Sequence, residues 1–231
     1  MPPRNVEIEA EYSLEVITPT DKTEVEGIIN DHFVGVEALT KASEMSPAVF
    51  APILNKIFER SVVEPTSFML RHKKSNKIAG LVLNSIWPKP DANAEHKDFD
   101  FEISMDNIKH QTCEDIVSAT HEMFYKLMPQ YDCVLHLEIA CTSSEHTRKG
   151  LASYLYTKSD AIVKENKFGT QAIVFEATSK ANQIVGFKHG YKVIWDEPLS
   201  KYSDDLGKPI LICDDGMETA QLMYKDVSMI A

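Results

Sequence analysis

The sequence predicts a single α/β domain built on a mixed sheet, and three observations carry that prediction. Segments of period-two alternation recur along the chain. From about residue 112 they alternate with segments whose apolar residues return every three or four positions, the mark of strands joined by helical crossovers. Earlier, residues 67–72 and 78–86 flank the polar turn Lys73-Lys74-Ser75-Asn76-Lys77 and read as an antiparallel hairpin. Parallel and antiparallel pairing therefore meet in one sheet. No internal repeat and no Gly/Ser-rich linker divides the 231 residues, a length that one large domain accommodates.

The elements follow in order. Residues 11–17 (EYSLEVI) alternate as a strand. Pro19 comes next, and Asp21 stands where it would cap a helix over 22–30. After Gly35 a second helical stretch begins, interrupted near Ser46-Pro47. Its continuation over 48–60 gathers Phe50, Ile53, Leu54, Ile57 and Phe58 on one face. The hairpin is then ended by Trp87-Pro88-Lys89-Pro90, which opens a polar loop to about residue 98. Residues 112–128 form a helix with Ile116, Ala119, Met123, Phe124 and Leu127 inward. A strand at 133–141, a helix at 150–165, a strand at 171–177 and a short helix ending near Lys188 follow. Residues 191–195 and 221–225 are late strands, with 208–212 pairing beside them.

Composition narrows the function. With 35 acidic against 24 basic residues the formal charge is −11, which argues against nucleic-acid partners and anionic membrane surfaces and would attract a small cation. The apolar runs fall far short of the roughly 20 residues of a membrane span, and MPPRNVEIEAEY has no secretory apolar region. The expectation is a soluble cytoplasmic protein, monomeric or homodimeric. Cys113, Cys133, Cys141 and Cys213 form no CxxC pair and fit no zinc spacing, so reduced thiols and no metal are expected.

Two places carry chemistry. Arg148-Lys149-Gly150-Leu151-Ala152 follows the strand CVLHLEIAC and opens the amphipathic helix LASYLYTKSDAIV. A helix N-terminus offers unpaired N–H groups and a positive dipole end to a pyrophosphate; Gly150 admits the anion closely and Ala152 keeps the next turn narrow. In the strand itself, His136 and Glu138 interrupt an apolar pattern. Period two places them on one face opposite Leu135, Leu137 and Ile139, about 7 Å apart. Titratable groups on a central strand point to a wet cavity.

On these residues the chain resembles the GNAT superfamily. Its acyl-CoA signature reads Arg or Gln, two residues, Gly, one residue, then Gly or Ala; here the register is Thr147-Arg148-Lys149-Gly150-Leu151-Ala152, with Thr147 at the first position. A second match is the segment from Val174 to Gln183 leading to Gly190-Tyr191, where the family has a short helix ending in Gly-Phe. The resemblance implies a GNAT-like α/β fold, a largely antiparallel twisted sheet flanked by helices. It further implies an acetyl-CoA cleft between two central parallel strands. Cofactor contacts would fall on Cys141, Thr142, Thr147, Arg148, Lys149, Gly150, Leu151, Ala152 and Asn182.

It also implies transfer of acetyl to an amine, most closely a small arylalkylamine. A protein lysine, a peptide N-terminus, a polyamine or a silent CoA-binding module remain alternatives. Amines arrive protonated and only the neutral form attacks a thioester, so a base is needed. His136 and Glu138 occupy positions where other family members carry histidine or glutamate. The segment Asp31 to Leu39 resembles the Glu-Pro-Leu segment of invertebrate-type arylalkylamine acetyltransferases. Its general base falls on Glu37, with Ala38 in place of the proline. That subfamily's two serines fall on Thr178 and Asn182. The tyrosine that protonates the departing thiolate in many members falls on Gly186, leaving Tyr191, His189 or water as substitutes.

Overall fold

The computed structural model describes residues 4–90 and 107–230. In chain order these form α1 (Arg4–Glu11), β1 (Tyr12–Val16), α2 (Lys22–His32), α3 (Ala38–Ala42), α4 (Pro47–Ser61), β2 (Phe68–His72) and β3 (Ile78–Pro88). There follow α5 (Ile108–His121), α6 (Met123–Leu127), β4 (Cys133–Thr142), α7 (Leu151–Glu165), β5 (Ala172–Ala177), α8 (Lys180–Lys188), β6 (Lys192–Pro198) and β7 (Thr219–Asp226). The seven strands make one sheet in the order β1-β2-β3-β4-β5-β7-β6. Among the described pairings β4–β5 is parallel, and its neighbours β3–β4 and β5–β7 are antiparallel. The mixed, largely antiparallel sheet agrees with the sequence reading.

Each face of the sheet carries its own core. On one, Val25 and Ile29 of α2, Phe50, Leu54 and Phe58 of α4, and Ile116 of α5 pack together with Leu81 and Leu83 of β3. On the other, Tyr154, Leu155 and Val163 of α7 cover Leu135, Ile173 and Phe175. Burial of such faces, about 25 cal/mol per Å² of apolar surface, holds helices of modest intrinsic propensity in place.

A bulge in β4 decides how the site is built. Leu83 pairs with Ile139 but Asn84 pairs with Leu137, so Glu138 is the extra residue. Such an insertion reverses the side-chain alternation beyond it. Leu135 and Leu137 therefore face α7, while Ile139 and Cys141 join the α2–α4 core. The uninterrupted alternation read from the sequence, with Ile139 on the side of Leu135 and Leu137, is corrected by this register shift.

Other expectations shift as well. The N-terminal helix α1 was not foreseen, because Ile8 is its one buried apolar side chain. Asp21 does not cap α2; its carboxylate turns back to accept from Thr18 N and Oγ1, both at 2.7 Å. Strand β3 runs on through Trp87 to Pro88, where the sequence placed a break. The helix expected at 112–128 starts at Ile108 and divides at Glu122, which leaves Leu127 41% exposed rather than inward. Residues 208–212 form no strand; Pro209 makes one bridge with Ser203. Residues 91–98 of the expected polar loop lie outside the described residues.

Candidate active site

The β4–β5 ladder contains two residue pairs, Leu135–Ile173 and His136–Val174. Beyond them β4 stays on β3 as far as Thr142 and β5 stays on β7 as far as Ala177. The two central strands thus part company and leave a cleft at their C-terminal ends. At the head of that cleft the chain turns through Arg148 (φ 62°) and Gly150 (φ 88°) into α7. Left-handed backbone at Gly150 is where a residue without Cβ is at ease. The cap carries no side chain, so the first N–H groups of α7 are presented by main chain alone.

The expected cofactor residues divide by what they can offer. Cys141 points its thiol into the core toward Ile28 O at 3.8 Å, and Leu151 is 1% exposed; both have only main chain to give. Thr147 donates its hydroxyl to Ser144 O at 3.2 Å, and Lys149 is paired with Glu11 of α1 at 2.7 Å. Thr142, Gly150 and Ala152 are half-buried and Arg148 is exposed. Asn182 lies in the first turn of α8, its N–H bonded to the capping Ser179 hydroxyl at 3.3 Å, and it is not in the pocket described next.

A pocket between α3, α4, α5 and the inner ends of β4 and β5 collects the expected acid–base groups. Its walls include Phe33, Leu39, Phe50, Ile57 and Val117, and its polar groups are Glu37, Thr40, Arg60, Cys113, Glu114, His136, Glu138, Glu176 and Thr178. Glu37 and the His136–Glu138 pair, distant in sequence, line the same space.

Glu37 is the N-cap of α3. Its Oε2 accepts from Leu39 N at 3.1 Å and Thr40 N at 3.0 Å, and its Oε1 accepts from the Thr178 hydroxyl at 2.9 Å. Burial pushes the carboxyl up and outweighs these donors, leaving it at about 7.

The other candidates are locked in a buried network. Glu138 accepts Arg60 Nε and Nη2, each at 2.5 Å, and the Ser85 hydroxyl at 2.6 Å. His136 Nδ1 lies 3.2 Å from Glu138 and its Nε2 lies 2.7 Å from Glu176. The second oxygen of Glu176 meets His121 Nδ1 at 2.9 Å, and Trp87 stacks on His121 at 3.8 Å between centroids. Burial alone would lower His136, but the carboxylates of Glu176 and Glu138 raise it to about 10. Burial likewise works against Glu138 as an anion, yet His136 and Arg60 hold it well below the usual carboxylate range. Both ring nitrogens of His136 are engaged and Glu138 accepts three hydrogen bonds from Arg60 and Ser85, an arrangement that favours the charged form of each and disfavours either as a base.

Sequence reasoning missed Arg60, His121 and Glu176. Glu176 had a signal, being the one charged residue in the apolar strand AIVFEA; Arg60 and His121, at helix ends, had none. Donor atoms of His121, His136 and Glu176 lie within 4.8 Å of one another, a grouping that could hold a metal ion. No spacing rule reveals it because the three sit on α5, β4 and β5.

Gly186, where the resemblance placed a tyrosine, is tightly packed. A Cβ on Gly186 would meet Met223 Sδ at 2.8 Å and Phe175 Cζ at 2.9 Å, so a side chain there requires those two side chains to shift. Tyr191 is 2% exposed within the α7 core, and neither it nor His189 lines the pocket.

No protein-family profile and no curated sequence matches the chain. Solved structures do. Arylalkylamine N-acetyltransferase 2 from Aedes aegypti superposes with a TM-score of 0.76 over 94% of this chain and 99% of that one, at 20% identity. The Drosophila melanogaster polyamine N-acetyltransferase, described as forming N-acetylagmatine, gives 0.73 over 94% and 100%, at 14% identity. The C-terminal condensation domain of Ebony, solved with beta-alanyl-dopamine, gives 0.72 over 94% and 99%, at 17% identity. The splayed parallel pair inside a mixed sheet is thus the frame of the GNAT fold, and this chain has that fold. The likeness extends over nearly the full length of proteins whose names refer to amines.

Proposed function

We propose that the chain is a single acetyltransferase domain that moves an acetyl group directly from acetyl-CoA to a small primary amine. The observation that carries this reading is Glu37, a carboxyl raised to about 7 in the wall of a pocket beside the splayed strands. A base poised near neutrality suits an amine that arrives as its cation. Apolar walls from Phe33, Phe50 and Val117 suit an acceptor with an apolar body, the arylalkylamine class being the first to test.

The residues fit acetyl-CoA in one respect above all. Gly150, at φ 88°, and the uncapped start of α7 form a main-chain cradle with room and dipole for an anion. Bound there, acetyl-CoA supplies the activated acyl group. Glu37 takes one proton from the ammonium, held in place by Leu39 N, Thr40 N and Thr178 Oγ1. The neutral nitrogen attacks the thioester carbonyl, the C–S bond breaks, and the second nitrogen proton ends on the departing thiolate. Glu37 then returns its proton to solvent. A thiolate leaves without help from a strong acid, consistent with Gly186.

Release of free CoA across a panel of tryptamines, phenethylamines, polyamines and lysine peptides tests the reading. Turnover of a small amine supports it. Acetyl-CoA binding without thiol release from any acceptor would make the chain a silent CoA-binding module, and turnover of peptides alone would move the acceptor to protein.

A further inference from the structure

The cleft between β4 and β5 opens where their ladder ends. Among the described residues the parallel ladder ends with the pair His136–Val174, so further along, the ladder no longer sets the distance between the strands. Laddered neighbours lie about 4.8 Å apart; beyond the ladder the spacing rests on side chains. Leu137 on β4 and Phe175 and Ala177 on β5 share the α7-side core, and among the described residues one ion pair joins the two strands across the opening. His136, a member of the last pair, reaches diagonally to Glu176, two residues further along β5, at 2.7 Å.

Both ends of that contact are anchored. His136 is held from behind by Glu138, which is gripped by both Nε and Nη2 of Arg60 on α4. Glu176 is held by His121 at the end of α5, and Trp87 of β3 stacks on that imidazole. Side-chain exposures of 3–8% at His121, His136, Glu138 and Glu176 leave the chain of contacts largely buried at the pocket wall. In such surroundings a charge-assisted bond is directional and little screened. Glu176 also lies two residues before Thr178, whose hydroxyl holds Glu37.

We propose that the His136–Glu176 pair is a clasp that sets the width of the cleft and thereby positions the acyl thioester against the acceptor. Both are positioning residues; neither carries the proton. The inference rests on the acetyl-CoA reading above. It follows from the requirement that a productive site hold its groups within roughly 0.5 Å, which strands freed from their ladder do not meet unaided.

The test measures acetyl-CoA binding by calorimetry together with steady-state kinetics. In Glu176→Gln the clasp loses its charge and keeps its shape; acetyl-CoA Kd is expected to rise at least about tenfold, since broken buried pairs are costly. The acid limb of kcat/KM near pH 7 is expected to stay in place because Glu37 still carries the proton. The double variant Glu176→Gln/His136→Gln is expected to match the weaker single variant, the non-additive signature of one shared contact. A role confined to stability would lower Tm and leave Kd of the folded protein untouched. Should Glu176→Gln not fold, His121→Gln removes one partner of the carboxylate and keeps the ion pair, with an expected Kd rise of about threefold. Wild-type binding and turnover combined with unchanged Kd in the folded variants overturns the clasp alone. No acetyl-CoA binding by the wild type overturns the cofactor reading and the clasp with it.

Discussion

At the scale of single residues, burial and partners sorted three candidate bases that residue type alone left equal. Glu37, His136 and Glu138 are all titratable and line one pocket. Two counter-charges fix the protonation of His136 and Glu138, whereas Glu37 meets only neutral donors. Glu37→Gln keeps the cap geometry and removes the acceptor of the proton. It is expected to lower kcat/KM at neutral pH by about 10²–10⁴-fold while acetyl-CoA Kd stays unchanged. The base works when ionised, so wild-type kcat/KM should fall as pH drops through about 7. That limb should vanish in Glu37→Gln, and raising the pH should partly restore the variant as more amine arrives neutral. Near-normal turnover in Glu37→Gln with collapse in Glu138→Gln, read from the same pH–rate profiles, would move the base to β4. Glu37 was legible as a candidate through its neighbours Ala38 and Leu39. Its tuning was not, because its burial and its bond from Thr178, 141 residues away, arise only in the folded chain.

At the scale of elements, the turn into α7 and the bulge in β4 do the shaping. Gly150→Asp would add a side chain at φ 88° and a negative charge at a helix N-terminus awaiting an anion. Coulombic repulsion of the pyrophosphate then acts with steric blocking. Acetyl-CoA affinity is expected to fall at least about tenfold by calorimetry, with the circular dichroism spectrum unchanged; undiminished affinity would remove the turn from the cofactor site. This turn was visible in the sequence because strand, glycine and amphipathic helix are local signals. The bulge was not. One extra residue at Glu138 leaves no mark in a run such as CVLHLEIAC, and only pairing with β3 shows where the alternation reverses.

At the scale of the whole molecule, the buried charges tie elements together and make stability depend on pH. His136 has a folded-state value of about 10, above its ordinary 6.5. The stabilisation it contributes is complete below about 6.5 and is lost as pH climbs toward 10. The melting temperature is expected to decline across that window, and His136→Gln should flatten the decline; equal slopes would show that the imidazolium is not what holds the network. The two imidazoles near Glu176 already hydrogen-bond that carboxylate, so EDTA is expected to leave melting temperature and activity unchanged. Loss of either, restored by zinc, would assign an ion to His121, His136 and Glu176. Among the described residues no helix is long and apolar enough to cross a membrane. By itself the sequence determined most of the strand and helix order, the mixed sheet and the glycine turn into α7, because periodicity and glycine act over a few residues. Only the tertiary structure decided that His136 meets Glu176, that Arg60 silences Glu138, and that Glu37 stands near neutrality. Those outcomes depend on desolvation and charge pairing between segments tens of residues apart, which no local pattern encodes.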